Sequence, residues 1–218
     1  MLSVIIPTLN AAATLEDCLS RLGEVRDVVV VDGGSWDGSQ AIAEAAGARL
    51  VVADPGRGAQ LRLGAEAARG DWLLFLHADT LLEPGWRQAA HAHRESWPGA
   101  AGCFRFRLDS RAWQARLIES GVALRTWIFG LPYGDQGLLV PRDLYERVGG
   151  FAAVPLMEDV DLVRRIGWRR LKLLQADAVT SAARWRRDGW FRRSARNLSC
   201  LLLHLFGMSE ERLARIYE

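Results

Sequence analysis

The sequence predicts an α/β fold with a mostly parallel central sheet flanked by helices. Short apolar runs recur at residues 2–6, 28–31, 50–53 and 72–76, the second of them wholly β-branched. Between them, apolar residues fall at helical spacing, as Leu15, Cys18, Leu19 and Leu22 do. Runs without polar alternation suit strands buried on both faces. Strands alternating with helices close through right-handed crossovers into an open parallel sheet.

Each element has its own signal. The first run ends at Pro7, and Thr14 with Asp17 three residues on has the spacing of a capping box, so the first helix is expected to open at Thr14. Asp37 is placed to cap a second helix reaching Ala46. A third helix is expected over residues 59–68 and a fourth from Pro84 to Arg94. The second half is less regular, with a strand at 102–108, a helix at 112–128 and a loop at 134–137 before a strand at 138–140. Trp190, Leu198, Leu201, Leu202 and Leu205 mark a terminal helix from Gly189, with a short one from Ser209. No internal repeat or long linker divides the 218 residues, which suit a single domain.

Composition excludes several classes. A net charge of +2 gives no reason to expect a nucleic-acid partner. Cys18, Cys103 and Cys200 are odd in number and lack a CxxC spacing, against a disulfide framework or zinc knuckle and for a reduced, cytoplasmic setting. The first residues lack the basic start and apolar core of a signal peptide, and no apolar stretch approaches the roughly 20 residues that span a bilayer.

Ligands of open sheets sit beyond the carboxyl ends of the strands. Three polar segments follow strand runs there: Pro7-Thr8-Leu9-Asn10, Asp32-Gly33-Gly34-Ser35-Trp36-Asp37-Gly38 and His77-Ala78-Asp79. Small residues at a helix start suit a ribose or base, although DG and GG pairs also make ordinary turns. Neither GxGxxG nor GxxxxGK[ST] is present, which disfavours NAD and P-loop chemistry.

His77 and Asp79 are two residues apart and share one side if strand geometry persists. A hard Mn2+ or Mg2+ on a diphosphate needs only one or two protein ligands. The same residues also read as a turn cap and a rim histidine. Glu158-Asp159-Val160-Asp161 opens an amphipathic segment, where acids complement the helix dipole and pair with Arg164 and Arg165, or supply a general base. His91 and His93 read as surface residues, and Trp86, Trp97, Trp113, Trp127 and Trp168 as packing or lid residues.

Taken in order, Pro7-Thr8-Leu9-Asn10, Val31 to Ser35 with Asp37-Gly38, Arg57-Gly58, Gly70-Asp71, Leu76 to Asp79 and Glu158-Asp159 resemble glycosyltransferase family 2 over about three quarters of the chain. The resemblance implies a GT-A-like fold and inverting, metal-dependent transfer from a nucleotide-diphosphate sugar to an unidentified hydroxyl. Under it, residues up to about 100 form a nucleotide half, 101–188 an acceptor half and 189–218 a helical tail. Asp32 would contact the nucleoside, with Pro7, Thr8, Asn10, Gly33, Ser35, Arg57 and Gln60 around the nucleotide. Asp79, with His77, would hold the metal beside Ala78, and Asp159 would deprotonate the acceptor.

Gly58-Ala59-Gln60, His77 to Thr80, Gly134-Asp135-Gln136, and Thr180-Ser181 with Arg184-Trp185 are most similar to the bacterial radical-SAM/selenodomain-associated glycosyltransferase subgroup. That likeness puts Asp135, Gln136, Glu158, Arg184 and Trp185 on the acceptor or pyrophosphate side. Two departures stand out: His77 replaces the first Asp of the usual DxD, and Arg62 stands where relatives often carry Asn. Arg184-Trp185 matches the end of a QxxRW element without its Gln, which does not support polymerisation.

Arg184, Arg186, Arg187, Arg192, Arg193 and Arg196 cluster with Trp185, Trp190 and Phe191, a composition that suits an anionic membrane surface or a terminal helix with solvated arginines. Two rivals remain. A nucleotidyltransferase would use a similar sheet and metal, but its glycine-rich segment after the first strand is replaced by residues 7–10. A non-catalytic, membrane-associated nucleotide-sugar-binding module is the other, favoured by His77 and opposed by Glu158-Asp159.

Overall fold

The computed structural model describes residues 1–132, 134–154, 156–208 and 212–213. Among these, β1 (Leu2–Thr8), β2 (Asp27–Asp32), β3 (Arg49–Val52), β4 (Trp72–Phe75), β5 (Thr80–Leu82), β6 (Ala101–Leu108), β7 (Leu138–Pro141) and β8 (Leu171–Thr180) form one sheet, ordered β3-β2-β1-β4-β7-β6-β8-β5. The helices are α1 (Ala12–Leu22), α2 (Ser39–Ala45), α3 (Arg57–Ala67), α4 (Trp86–Ser96), α5 (Trp113–Phe129), α6 (Arg142–Arg147), α7 (Glu158–Ile166), α8 (Ala183–Asp188) and α9 (Trp190–Leu205).

Alternation along the central strands explains the layering. Ile5, Val29, Val31, Leu73 and Phe75 turn to one face and pack with Leu61, Val160 and Val163 of α3 and α7. Val4, Ile6, Val30 and Leu74 turn to the other and pack with Leu15, Leu19 and Trp86 of α1 and α4. With a side-chain period of two, a strand apolar at every position must be covered on both sides. Each such side chain contributes about 1.5–3 kcal/mol on burial.

The predicted parallel order holds across β3-β2-β1-β4. Beyond it the sheet is mixed, because β7 runs antiparallel to both β4 and β6, while β6 and β8 are parallel. The cysteines are buried and unpaired, and burial pushes the Cys18 and Cys103 thiols up to about 12. No helix of the described residues is long and apolar enough to cross a membrane. The short helix expected from Ser209 lies largely outside the described residues.

Three local expectations are corrected. α1 starts at Ala12, and no side chain of its own caps it. Its orphan N–H groups are met from the β2–α2 loop instead: Ala12 N donates to Asp37 Oδ2 at 2.9 Å and Ala11 N to Ser39 Oγ at 2.9 Å. α2 begins at Ser39 with Gly38 as its N-cap at φ 91°, while Asp37 also accepts from the Ser39 amide at 3.1 Å. His93 is buried rather than exposed: its Nε2 is hydrogen-bonded to Ala100 O at 2.9 Å and its ring packs edge-on against Trp72 at 5.8 Å. Burial lowers its pKa.

Gly64 fixes how closely α3 lies on the sheet, since a β-carbon there would run into Ile5 and would touch Val31 Cγ2 at 3.0 Å. Gly64→Ala should therefore cost about 1–3 kcal/mol despite the better helix propensity of alanine. Chemical denaturation tests this, and an unchanged or raised midpoint would mean that the helix shifts freely.

Candidate active site

The strand register places all three polar segments on one rim. Thr8 pairs with Asp32 and Asp32 with Val52, while Leu76 N donates to Ile5 O at 3.0 Å where β4 ends. Residues 8–10, 33–38, 53–56 and 76–79 thus emerge side by side.

The loop after β2 is organised around Asp32. Its Oδ1 accepts from Thr8 Oγ1 at 3.0 Å and Ser35 Oγ at 2.5 Å. Its Oδ2 accepts from the amides of Gly34 at 3.0 Å and Ser35 at 2.7 Å and from Gln40 Nε2 at 2.8 Å. Burial works to raise its pKa, but these donors prevail and lower it. Gln60 Nε2 donates to both Thr8 O and Val31 O at 2.8 Å, clamping β1 to β2 from α3.

Asp32, Thr8 and Gln60 are buried and hold the loop together from beneath. Asn10, at φ 52°, accepts from Trp36 N through Oδ1 at 3.1 Å, and its own amide donates to Ser35 Oγ at 2.8 Å. Trp36 stands 84% exposed on this loop, and Asp54 is exposed after β3. Neither was singled out from the sequence, although an aromatic among small rim residues and an acid just past a strand were available signals. Pro7 and Gly33 complete the strand ends, Gly33 lying against Pro55 and Gln60.

The second cluster forms where α3, α7, the turn after β4 and the 3-10 turn Gly134–Gln136 converge. Arg57 Nε donates to Glu158 Oε1 in a close ion pair that joins the first residues of α3 and α7. Burial opposes the guanidinium charge, yet Glu158, Asp159 and Asp135 together raise its pKa. Glu158 is fully buried with Oε2 unpartnered, and burial raises its pKa although Arg57 pulls the other way. Glu158 thus fixes Arg57 from within the core. Asp159 is half-buried, and its Oδ1 accepts from Val160 N at 2.7 Å at the α7 N-terminus. Asp159, Glu158 and His77 border a cavity of about 20 Å³, about one water in size.

Strand geometry does not persist through the HAD segment, because β4 ends at Phe75 and Ala78 and Asp79 lie in a turn. His77 Nδ1 donates to Asp135 Oδ1 at 3.0 Å. Burial opposes the charged imidazole, but Asp135 raises its pKa. Burial likewise opposes the Asp135 carboxylate, but His77, Arg57 and Arg184 hold it down at about 2. Thr80 Oγ1 and Thr180 Oγ1 are 2.9 Å apart, and Thr180 Oγ1 donates to Asp135 O at 3.2 Å, which ties the Asp79 turn to the Asp135 turn. Ala78 is buried, and Gln136 is buried with its amide donating to Phe104 O at 3.0 Å.

At the tail, Trp185 is buried beneath Arg193, whose guanidinium lies 5.3 Å from the ring. Arg187, Arg193 and Arg196 converge on Asp188, and Arg186 pairs with Asp109, so much of the basic run serves internal pairing. Arg184 and Arg192 are exposed.

Among the described residues, no three His, Cys, Asp or Glu side chains converge as a complete metal cage. The Asp79 carboxylate in the turn after β4 offers hard oxygens, which suit a divalent ion that completes its shell with phosphate oxygens and water. Asp135 occupies the His77 Nδ1, leaving only Nε2 of that ring for coordination.

The fold is of the GT-A type. The chain belongs to glycosyl transferase family 2, which matches residues 3–155. The glucosyl-3-phosphoglycerate synthase of Mycobacterium tuberculosis, solved with Mn2+, uridine diphosphate and phosphoglyceric acid, superposes with a TM-score of 0.67 at 20% identity, covering 95% of this chain and 79% of that one. S. aureus TarS 1–349 superposes at 0.66 with 16% identity, covering 99% and 69%. In sequence, a PGL/p-HBAD biosynthesis glycosyltransferase of Mycobacterium bovis (strain BCG / Pasteur 1173P2) is 41% identical over 93 residues, 38% of this chain. The matched stretch spans only 36% of that relative's length.

The His77–Asp135 pair has a pH signature. A histidine whose folded pKa is raised contributes stability that is complete below its unfolded value near 6.5 and is lost as pH rises through the folded value. Melting temperature should accordingly fall more steeply in the wild type than in Asp135→Asn as pH rises from about 6.5. Parallel curves would remove the pair as the source.

Proposed function

We propose that this chain transfers a sugar from a nucleotide diphosphate, with UDP the first donor to test, onto an acceptor hydroxyl with inversion. The observation that carries this reading is the meeting of Asp159 with Arg57 and the His77–Asp79 turn beside the nucleotide-type loop. The curated relatives and the ligands of the solved synthase support the choice of donor. The combined motifs at Gln60, His77, Asp135 and Arg184 support placement in the radical-SAM/selenodomain-associated subgroup.

The base and ribose would lie against the loop at residues 33–36, with Trp36 as a stacking face and Asp54 within reach of a ribose hydroxyl. Asp79 would hold Mn2+ or Mg2+, which when bound neutralises charge on the departing diphosphate. Arg57, fixed by Glu158, adds a permanent positive charge on the same side. Asp159 takes the proton from the acceptor oxygen as that oxygen bonds to the anomeric carbon. The bond to the diphosphate breaks on the opposite face, which inverts the centre. Arg184 and Arg192 suit peripheral contact with an anionic membrane at its cytoplasmic face.

Thermal-shift titration with UDP should raise the melting temperature more with Mn2+ than without. Silence across nucleoside diphosphates and UDP-sugars would turn the reading towards a protein without this activity. Asp159→Asn should lower transfer by about 10²–10⁴-fold with UDP binding retained. Near-normal turnover would take Asp159 out of the role, and release of pyrophosphate from a nucleoside triphosphate would favour nucleotidyl transfer.

A further inference from the structure

The long helices α5 and α9 do not close against each other along their length. Between them runs an apolar groove of about 570 Å³, within the size range of small-molecule sites. Leu117, Leu124 and Ile128 of α5 and Phe191, Leu198 and Leu202 of α9 line it while remaining 44–57% exposed. Leaving six large apolar side chains this open forgoes burial that would stabilise the fold. Such a patch marks a binding surface more often than a plain exterior.

Where the groove ends decides what it holds. Its inner wall includes Asp135 and Gln136, and Asp135 is the residue bonded to His77 in the acidic cluster. The groove therefore ends beside the proposed transfer site, with the Asp135–His77 pair between the two. A docked polypeptide helix would carry its Ser, Thr or Tyr hydroxyls along its length, whereas a single hydrocarbon chain with a polar head covers the apolar walls and carries its hydroxyl at the one end nearest the acidic cluster. Arg184, near enough to Asp135 to bias its charge, is exposed there and suits an anionic head. Gly121 of α5 lines the groove, and a β-carbon on it would meet nothing within 4 Å, so the wall is open where a larger residue would fill it.

We propose that the α5–α9 groove holds the hydrocarbon chain of an amphiphilic acceptor, with the hydroxyl of its head delivered to Asp159. This assignment rests on the transferase reading and adds to it a substrate class: a lipid alcohol or glycolipid with one extended chain.

The test uses the full chain and a long-chain primary alcohol carrying a terminal environment-sensitive fluorophore. Saturable fluorescence enhancement is expected, with displacement by hexadecanol but not by butanol. Gly121→Phe, which fills the groove, should weaken probe binding at least about tenfold, a difference of 1.4 kcal/mol. Gly121→Ala should leave it nearly unchanged, and the UDP–Mn2+ thermal shift should be the same in all three proteins. If Gly121→Phe does not fold, Leu198→Arg, at an exposed position, charges the same wall.

Absence of probe binding, equal displacement by both alcohols, or undiminished affinity in the filled variant would overturn the proposal. A concentration-dependent dimer that the filled variant dissolves would do the same, by assigning the groove to a second copy. If the probe binds in the groove while UDP with Mn2+ gives no shift, the transferase reading fails and the hydrocarbon site survives. If UDP binds and the probe does not, the groove assignment alone fails.

Discussion

The interaction on which the site depends is the ion pair between Arg57 and Glu158, residues 101 apart in sequence. It brings the first turn of α3 against the first turn of α7, and with them a cation and the Asp159 carboxylate. The approach is close enough that Gly58 has no room for a side chain: a β-carbon there would strike Ala152 O and lie 3.3 Å from Glu158 Cβ. Glu158 is wholly enclosed, whereas 37% of the Arg57 side chain remains open to solvent. Screening of that open part places the cost of removing Arg57 towards or below the lower end of the about 3–5 kcal/mol typical of a broken buried pair. The pair is better understood as a positional device than as a source of stability.

A second constraint acts at the nucleotide-type loop. Five donors converge on the Asp32 carboxylate, and Asp37 and Ser39 of the same loop receive the first amides of α1. The carboxylates shape the loop from beneath, while Trp36 and Asn10 are left on its surface.

Most of the fold was legible because the strands of the first half are apolar at nearly every position and the intervening helices carry a regular stripe. The direction of β7 was not legible, since a short apolar run carries no record of which way it crosses the sheet. The candidate residues at Arg57, His77, Asp79, Asp135, Glu158 and Asp159 were visible individually, and the structure brings them together. Their division of labour was hidden: that Glu158 serves Arg57, that Asp135 engages His77, and that Gln60 and Gln136 bond backbone carbonyls all depend on contacts between distant segments. Spacing two suggested a shared face for His77 and Asp79, but the strand stops before them. His93 was misjudged because a histidine's burial depends on the partner strand and not on its own helix.

The long-range cap of α1 bears on the order in which the molecule assembles. A helix of 11 residues is marginal on its own, and this one lacks any local side chain to frame its first turn. Its missing acceptors arrive only with Asp37 and Ser39, after β2 has paired beside β1. During synthesis α1 would therefore emerge well before its cap and remain frayed at its N-terminal end until the second β-α unit docks. Nucleation of this half would then fall on the β1–β2 pairing, making it a non-local and comparatively slow event.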